Sequence, residues 1–146
     1  MRKDVPGFIV NRLAYAMYRE ACNLIELGVA DAETIDRSFR NAAGMWAPMC
    51  GPLRWIDITG GPALYAKAMS AVVDNLSNQN QVPPTLQRLA DDDARGVLNG
   101  RGFYEYAPGD AEKWQKKFHR QAWASLEMIN QNDPLPPASD ENRPCD

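Results

Sequence analysis

The chain has 146 residues, 45% of them apolar and 24% charged, with a net charge of −3. These totals describe one globular domain of ordinary composition and exclude a low-complexity or fibrous chain. The charges are interspersed, and no basic stripe or Lys/Arg cluster supplies a nucleic-acid footprint, so no nucleic-acid partner is expected.

Three cysteines (Cys22, Cys50, Cys145) and one histidine (His119) show no CxxC or Cys/His spacing, which argues against structural zinc. Unpaired cysteines in an odd number fit a reducing cytoplasm. No apolar run approaches the roughly 20 residues needed to span a bilayer, so no membrane association is expected.

Pro6-Gly7 opens a long helical pattern, with apolar residues at Phe8, Ile9, Leu13, Ala16, Met17, Ala21, Leu24 and Ile25. Gly28 is a natural stop. Asp31 is a good N-cap for a second helix, with Glu33 at its positive end and Gly44 closing it. Met45 to Pro52 is mostly apolar but holds Pro48, Gly51 and Pro52, and reads as a buried loop. Pro52 starts a short helix through Ile58. Pro62 starts another through about Ser77, with Leu64, Met69, Val72, Val73 and Leu76 as core candidates.

After a polar connection, Pro83-Pro84 begin a helix that runs to about Asp92. Gly96 to Tyr106 carries glycines and alternating aromatics, which predicts an extended segment lying on the core. Asp110 caps a final helix whose stripe is Trp114, Phe118, Ala122, Leu126 and Ile129. From Gln131 the chain is polar and proline-rich, so residues 131–146 are expected to form a disordered or loosely attached tail. The fold class is all-α, with residues 1–130 as one helical domain.

Few residues offer chemistry. His119 sits between Phe118 and Arg120 with no evident carboxylate partner, and reads as a surface histidine. Asp91-Asp92-Asp93 lacks calcium-loop spacing and reads as a solvated edge. Cys50 reads as an inert buried thiol. Trp46, Trp55, Trp114 and Trp123 read as core aromatics that could also serve an interface. Gly60-Gly61 and Gly100-Arg101-Gly102 follow no predicted strand, so neither forms a dinucleotide-binding fingerprint. No metal site is expected. Asn11 stands out, because asparagine is a poor helix-interior residue and its amide could orient a carbonyl or hydroxyl. Read alone, it is a capping or surface residue.

Three segments in order carry a resemblance. Asp4-Val5-Pro6-Gly7-Phe8-Ile9-Val10-Asn11-Arg12-Leu13 resembles the opening of the C-terminal domain of the 3-hydroxyacyl-CoA dehydrogenases. Gly51-Pro52-Leu53-Arg54-Trp55-Ile56-Asp57 is similar to an internal motif of that family, and Gly100-Arg101-Gly102-Phe103-Tyr104-Glu105-Tyr106 to its closing motif. The resemblance covers residues 4 to 106.

It implies a helical domain of the 6-phosphogluconate dehydrogenase C-terminal-like type that follows a Rossmann domain absent from this chain. It also implies an enzyme that oxidises an L-3-hydroxyacyl-CoA with NAD, the cofactor being bound by the missing domain. The family's catalytic His and Glu belong to that missing domain, and His119 matches neither. The one catalytic position the resemblance carries over is Asn11, which would orient the substrate oxygen and the catalytic His. A homodimer through the helical domain is implied as well, and this chain alone should be inactive. The loop before Gly51, Leu53 in place of Phe and the extra helix after Tyr106 lean toward the branch containing lambda-crystallin and L-gulonate 3-dehydrogenase. There the substrate is a small hydroxy acid rather than an acyl-CoA. A non-enzymatic helical dimerisation module is the remaining alternative.

Overall fold

The computed structural model describes residues 4–132 and 134. Among them the regular structure is helical, with two isolated antiparallel bridges and no sheet, so the domain is all-α. Seven α-helices follow in order: α1 (Phe8–Glu26), α2 (Ala32–Asn41), α3 (Ala43–Trp46), α4 (Pro52–Ile58), α5 (Gly61–Ser70), α6 (Pro84–Asp91) and α7 (Asp110–Asn132).

Local chemistry explains most boundaries. α1 ends where Val29 N donates to Leu24 O at 3.0 Å, a bond that crosses Gly28 and satisfies a terminal carbonyl. Asp31 caps α2 by accepting from Thr34 N at 2.8 Å. Prolines sit in the first turns of α4, α5 and α6, where the missing N–H costs nothing. Asp110 opens α7 from inside its first turn, accepting from Ala107 N at 2.8 Å and pairing with Lys113.

α1 is the organising element. It packs against α2 and α6, and α2 packs against α3. α4 packs on α5, and the stacked rings of Trp46 and Trp55, 5.2 Å apart, join α3 to α4. The Gly96–Tyr106 segment folds back on itself through Gly96 N→Arg101 O and Tyr106 N→Gly100 O. A Cβ on Gly100 would stand 3.0 Å from Tyr106 O, and its φ of +82° suits glycine, so this close return requires that residue. With α1, α2 and α6 the segment lines a half-open apolar cavity of about 510 Å³, to which Cys22 contributes.

Several expectations need correction. The Met45–Pro52 stretch is not a buried loop. It begins inside α3, and Met45 is 77% exposed. Cys50 is half-buried rather than enclosed. α5 stops at Ser70 and gives way to a 3₁₀ turn at Val73–Asn75, because the β-branched pair Val72-Val73 leaves the α-helical path before Ser77. The core assigned to Leu64, Met69, Val72, Val73 and Leu76 is exposed, as are Trp114 and Trp123. Among the described residues only Cys22 and Pro83 are buried. The apolar faces that helix periodicity assigned to the core stand largely uncovered among the described residues. Of the expected tail, Gln131 and Asn132 belong to α7, while 133 and 135–146 lie outside the described residues.

Candidate functional site

The first half of α1 carries the position of interest. A turn precedes it, with Phe8 N donating to Val5 O at 3.1 Å. Gly7 holds φ +84°, and a Cβ there would lie 3.4 Å from Arg12 Cγ and 3.7 Å from Asn11 Cβ. The glycine thus lets the turn sit directly beneath Asn11 and Arg12. Asn11 itself is exposed and makes no side-chain hydrogen bond among the described residues. Its amide is free to meet an outside group.

Next to it runs an open groove of about 740 Å³ between α1 and the 79–83 segment. Arg12, Tyr15 and Arg19 contribute the α1 side, and Gln79 to Pro83 the other. The second wall is tied to α1 by side chain–backbone bonds. Arg19 Nη1 donates to Gln79 O at 3.1 Å, Ser77 N donates to Glu20 Oε2 at 2.7 Å, and Thr85 N donates to Glu26 Oε1 at 2.9 Å. The Thr85 amide holds the Glu26 carboxyl below its ordinary range, with burial opposing. Sequence reasoning missed this groove. The available signal was Arg12 and Arg19 seven residues apart, which places them on one helix face.

The apolar cavity on the other side of α1 holds different groups. Burial, and then the nearby Glu26 charge, push the Cys22 thiol up from its ordinary value, away from the thiolate needed for reactivity. Tyr104 Oη donates to Asp36 Oδ2 at 2.7 Å at the cavity edge. Burial and that bond push the phenol up to about 12.

The remaining candidates lie elsewhere. His119 is exposed on α7 beside the ring of Phe118. Asp91, Asp92 and Asp93 are exposed. Asp91 accepts from Gln87, and Asp93 pairs with Arg95 at 3.4 Å. No group of three His, Cys, Asp or Glu side chains is arranged to hold a metal among the described residues. Gly60 caps α5 and Gly61 is its first residue, with α4 just before them, while Gly100 and Gly102 lie within the folded-back segment. Without a strand leading into a helix N-terminus, neither pair makes a pyrophosphate cradle, and these residues do not fit NAD.

The helical architecture and the α1 motif define a helical domain of the dehydrogenase kind. Residues 7–106 match the model of the 3-hydroxyacyl-CoA dehydrogenase C-terminal domain, and the chain belongs to that family. It is similar to 5-formyl-3-hydroxy-2-methylpyridine 4-carboxylate 5-dehydrogenase of Mesorhizobium japonicum, at 32% identity over 88% of this chain and 41% of that protein. It is also similar to human mitochondrial hydroxyacyl-coenzyme A dehydrogenase, at 36% identity over 71% of this chain and 32% of that protein. A crystal structure of a 5-formyl-3-hydroxy-2-methylpyridine 4-carboxylic acid 5-dehydrogenase, described as an NAD⁺-dependent dismutase, superposes with a TM-score of 0.84. That match has 30% identity and covers 90% of this chain and 42% of that one. The chain therefore spans about a third to two fifths of the length of these relatives. Among the described residues no helix is long and apolar enough to cross a membrane.

Proposed function

We propose that this chain is the substrate-side and dimerisation half of an NAD-dependent 3-hydroxyacyl-CoA dehydrogenase. It is inactive until an NAD-binding domain is supplied, and it works in the cytoplasm. The observation that carries this reading is the α1 opening. The family match starts at Gly7, and the Gly7 turn holds Asn11 with an uncommitted amide. Asn11 orients the substrate oxygen and the catalytic His of the other domain, and so contributes geometry rather than proton transfer.

The partner surface follows from exposure. Large apolar side chains stand in solvent along the described residues, Phe118 at 67%, Trp123 at 68% and Leu53 at 78% among them. A stable protein–protein interface needs only about 1,600 Å² in total. A second copy supplies the cover, with the NAD-binding domain as the other neighbour.

The test is complementation. The chain alone should not oxidise NADH with acetoacetyl-CoA, and fusion behind a family member's NAD-binding domain should create that activity. Turnover by the chain alone would sink the proposal. In the fusion, Asn11→Ala should lower kcat by about 100-fold while NAD affinity holds. Unchanged kinetics would remove Asn11 from the site.

A second reading has an observation of its own. The match to the pyridine-carboxylate dehydrogenase extends over 129 residues, against 110 for the human hydroxyacyl-CoA enzyme. That favours a small carboxylate substrate over an acyl-CoA, and an L-gulonate-like hydroxy acid is the form this reading takes. A fusion that turns over gulonate and leaves acetoacetyl-CoA untouched would select it. A fusion inactive on both, from a chain that still dimerises, would leave a non-enzymatic dimerisation module.

A further inference from the structure

The groove beside Asn11 carries two cationic side chains. Arg12 and Arg19 are two helical turns apart, about 10 Å along the axis. Both line the groove, and no carboxylate lines it with them. The remaining polar lining is amide and phenol, from Gln79, Asn80, Gln81 and the tyrosines. In a chain of net charge −3 this gathers two cations with nothing opposite.

The carboxylates nearest along α1 are already committed. Glu20 takes Ser77 N and Asn23 Nδ2, and Glu26 takes Thr85 N. Among the described residues neither arginine forms an ion pair. Arg19 is fixed in place by Gln79 O, yet its Nε is buried without an acceptor. Both arginines line the open groove, so an incoming oxyanion can take charge-assisted hydrogen bonds from the guanidinium nitrogens that face it. The wall opposite is pinned at Ser77, Gln79 and Thr85, so the groove is formed in advance.

We propose that this groove seats the anionic end of the substrate, with Arg12 and Arg19 as its cationic contacts. This deepens the functional reading above and rests on it in one respect, namely that the ligand is the substrate whose oxygen Asn11 orients. The ligand chemistry is an oxyanion, either the carboxylate of a small hydroxy acid or a phosphate of an acyl-CoA. Arg12, adjacent to Asn11, lies near the reacting end. Arg19, two turns on, meets an anion that reaches further along the groove.

The experiment needs no catalysis. The 146-residue chain is titrated by calorimetry with gluconate, with coenzyme A, and with glucitol as the neutral control. Saturable binding of gluconate but not coenzyme A identifies a carboxylate seat, and the reverse identifies a phosphate seat. Glucitol should not bind. Arg12→Gln and Arg19→Gln should each weaken the bound anion by about tenfold or more, as expected for loss of a charge-assisted hydrogen bond. Arg120→Gln on α7 should have no effect. Arg19→Lys, which keeps the charge, guards against a loss that merely reflects the broken Gln79 contact, and should retain most of the affinity. No saturable binding of either anion, or binding indifferent to both arginines, overturns the proposal. If the fusion is active while neither anion binds, the functional reading stands and this site falls. If an anion binds while the fusion is dead, the site stands and the substrate assignment falls.

Discussion

α1 and α7 are the two long helices, of 19 and 23 residues, and both carry an apolar stripe. Their fates differ. α1 packs against α2 and α6, buries Cys22 and fixes the 77–85 segment through Arg19, Glu20 and Glu26. Among the described residues α7 makes no comparable helix–helix packing, and Phe118 and Trp123 are 67% and 68% exposed. Amphipathic spacing shows that a face is to be covered. It does not show what covers it. The polar groups do distinguish the two helices. The α1 carboxylates reach across to distant backbone amides, whereas Glu112, Lys113 and Lys116 on α7 pair within their own helix.

The largest expected effect tests that contrast on the α7 side. If a second copy covers the stripe, the chain sediments as a dimer at micromolar concentration. Phe118→Glu with Leu126→Glu, which places two charges on the apolar face, should then give monomer mass with the helical circular dichroism retained. A wild-type monomer, or a variant that still dimerises, would show that α7 is covered by something else.

On the α1 side the change is smaller and internal. Glu20→Ala leaves the Ser77 amide without its 2.7 Å acceptor, and should cost about 1–3 kcal/mol in urea unfolding. The same loss from Glu112→Ala on α7, whose partner is the exposed Lys116, should be too small to measure. Equal losses at the two sites would erase the distinction between the helices.

Much of this was legible beforehand for a physical reason. Caps, proline starts and glycine stops are local chemistry, so α1, α2, α4, α6 and α7 were placed within a few residues. The 3₁₀ turn at Val73–Asn75 and the short α3 were not, because apolar runs of that length fit several backbones. The family and its Asn11 motif were legible because three motifs occur in order. The arginine groove was not. It depends on Gln79–Pro83 folding back 60 residues later onto Arg19, and no local pattern encodes that return.

Acid should loosen the anchored region through identifiable groups. Glu26 is held low chiefly by the Thr85 amide, Asp31 by Thr34, and Asp110 by Lys113 and then Ala107 N. Each has a folded value below its unfolded one. The stability they contribute is therefore present above the ordinary carboxylate range, near about pH 4, and is lost as pH falls through the lower folded values. Thermal melts of wild type should fall steeply there. Glu26→Gln should flatten part of that fall, and a slope unchanged in Glu26→Gln would remove Glu26 from the linkage.

The smallest effect runs in the opposite direction of pH. Tyr104 is pushed up to about 12, first by burial and then by donating to Asp36, so the fold favours the neutral phenol. That contribution is complete below the unfolded value near 10 and is lost as pH rises through the folded one. Tyr104→Phe removes an exposed bond, so it should cost below about 1 kcal/mol at neutral pH. It should also abolish the tyrosine component of the alkaline fall in stability. The bond joins the folded-back 96–106 segment to α2 across the apolar cavity. Amide exchange at Phe103 to Tyr106 should therefore quicken in the variant while α7 exchange stays as it was. Faster exchange in both regions would mean that α7 leans on this segment after all, and the two helices would then belong to one cooperative unit.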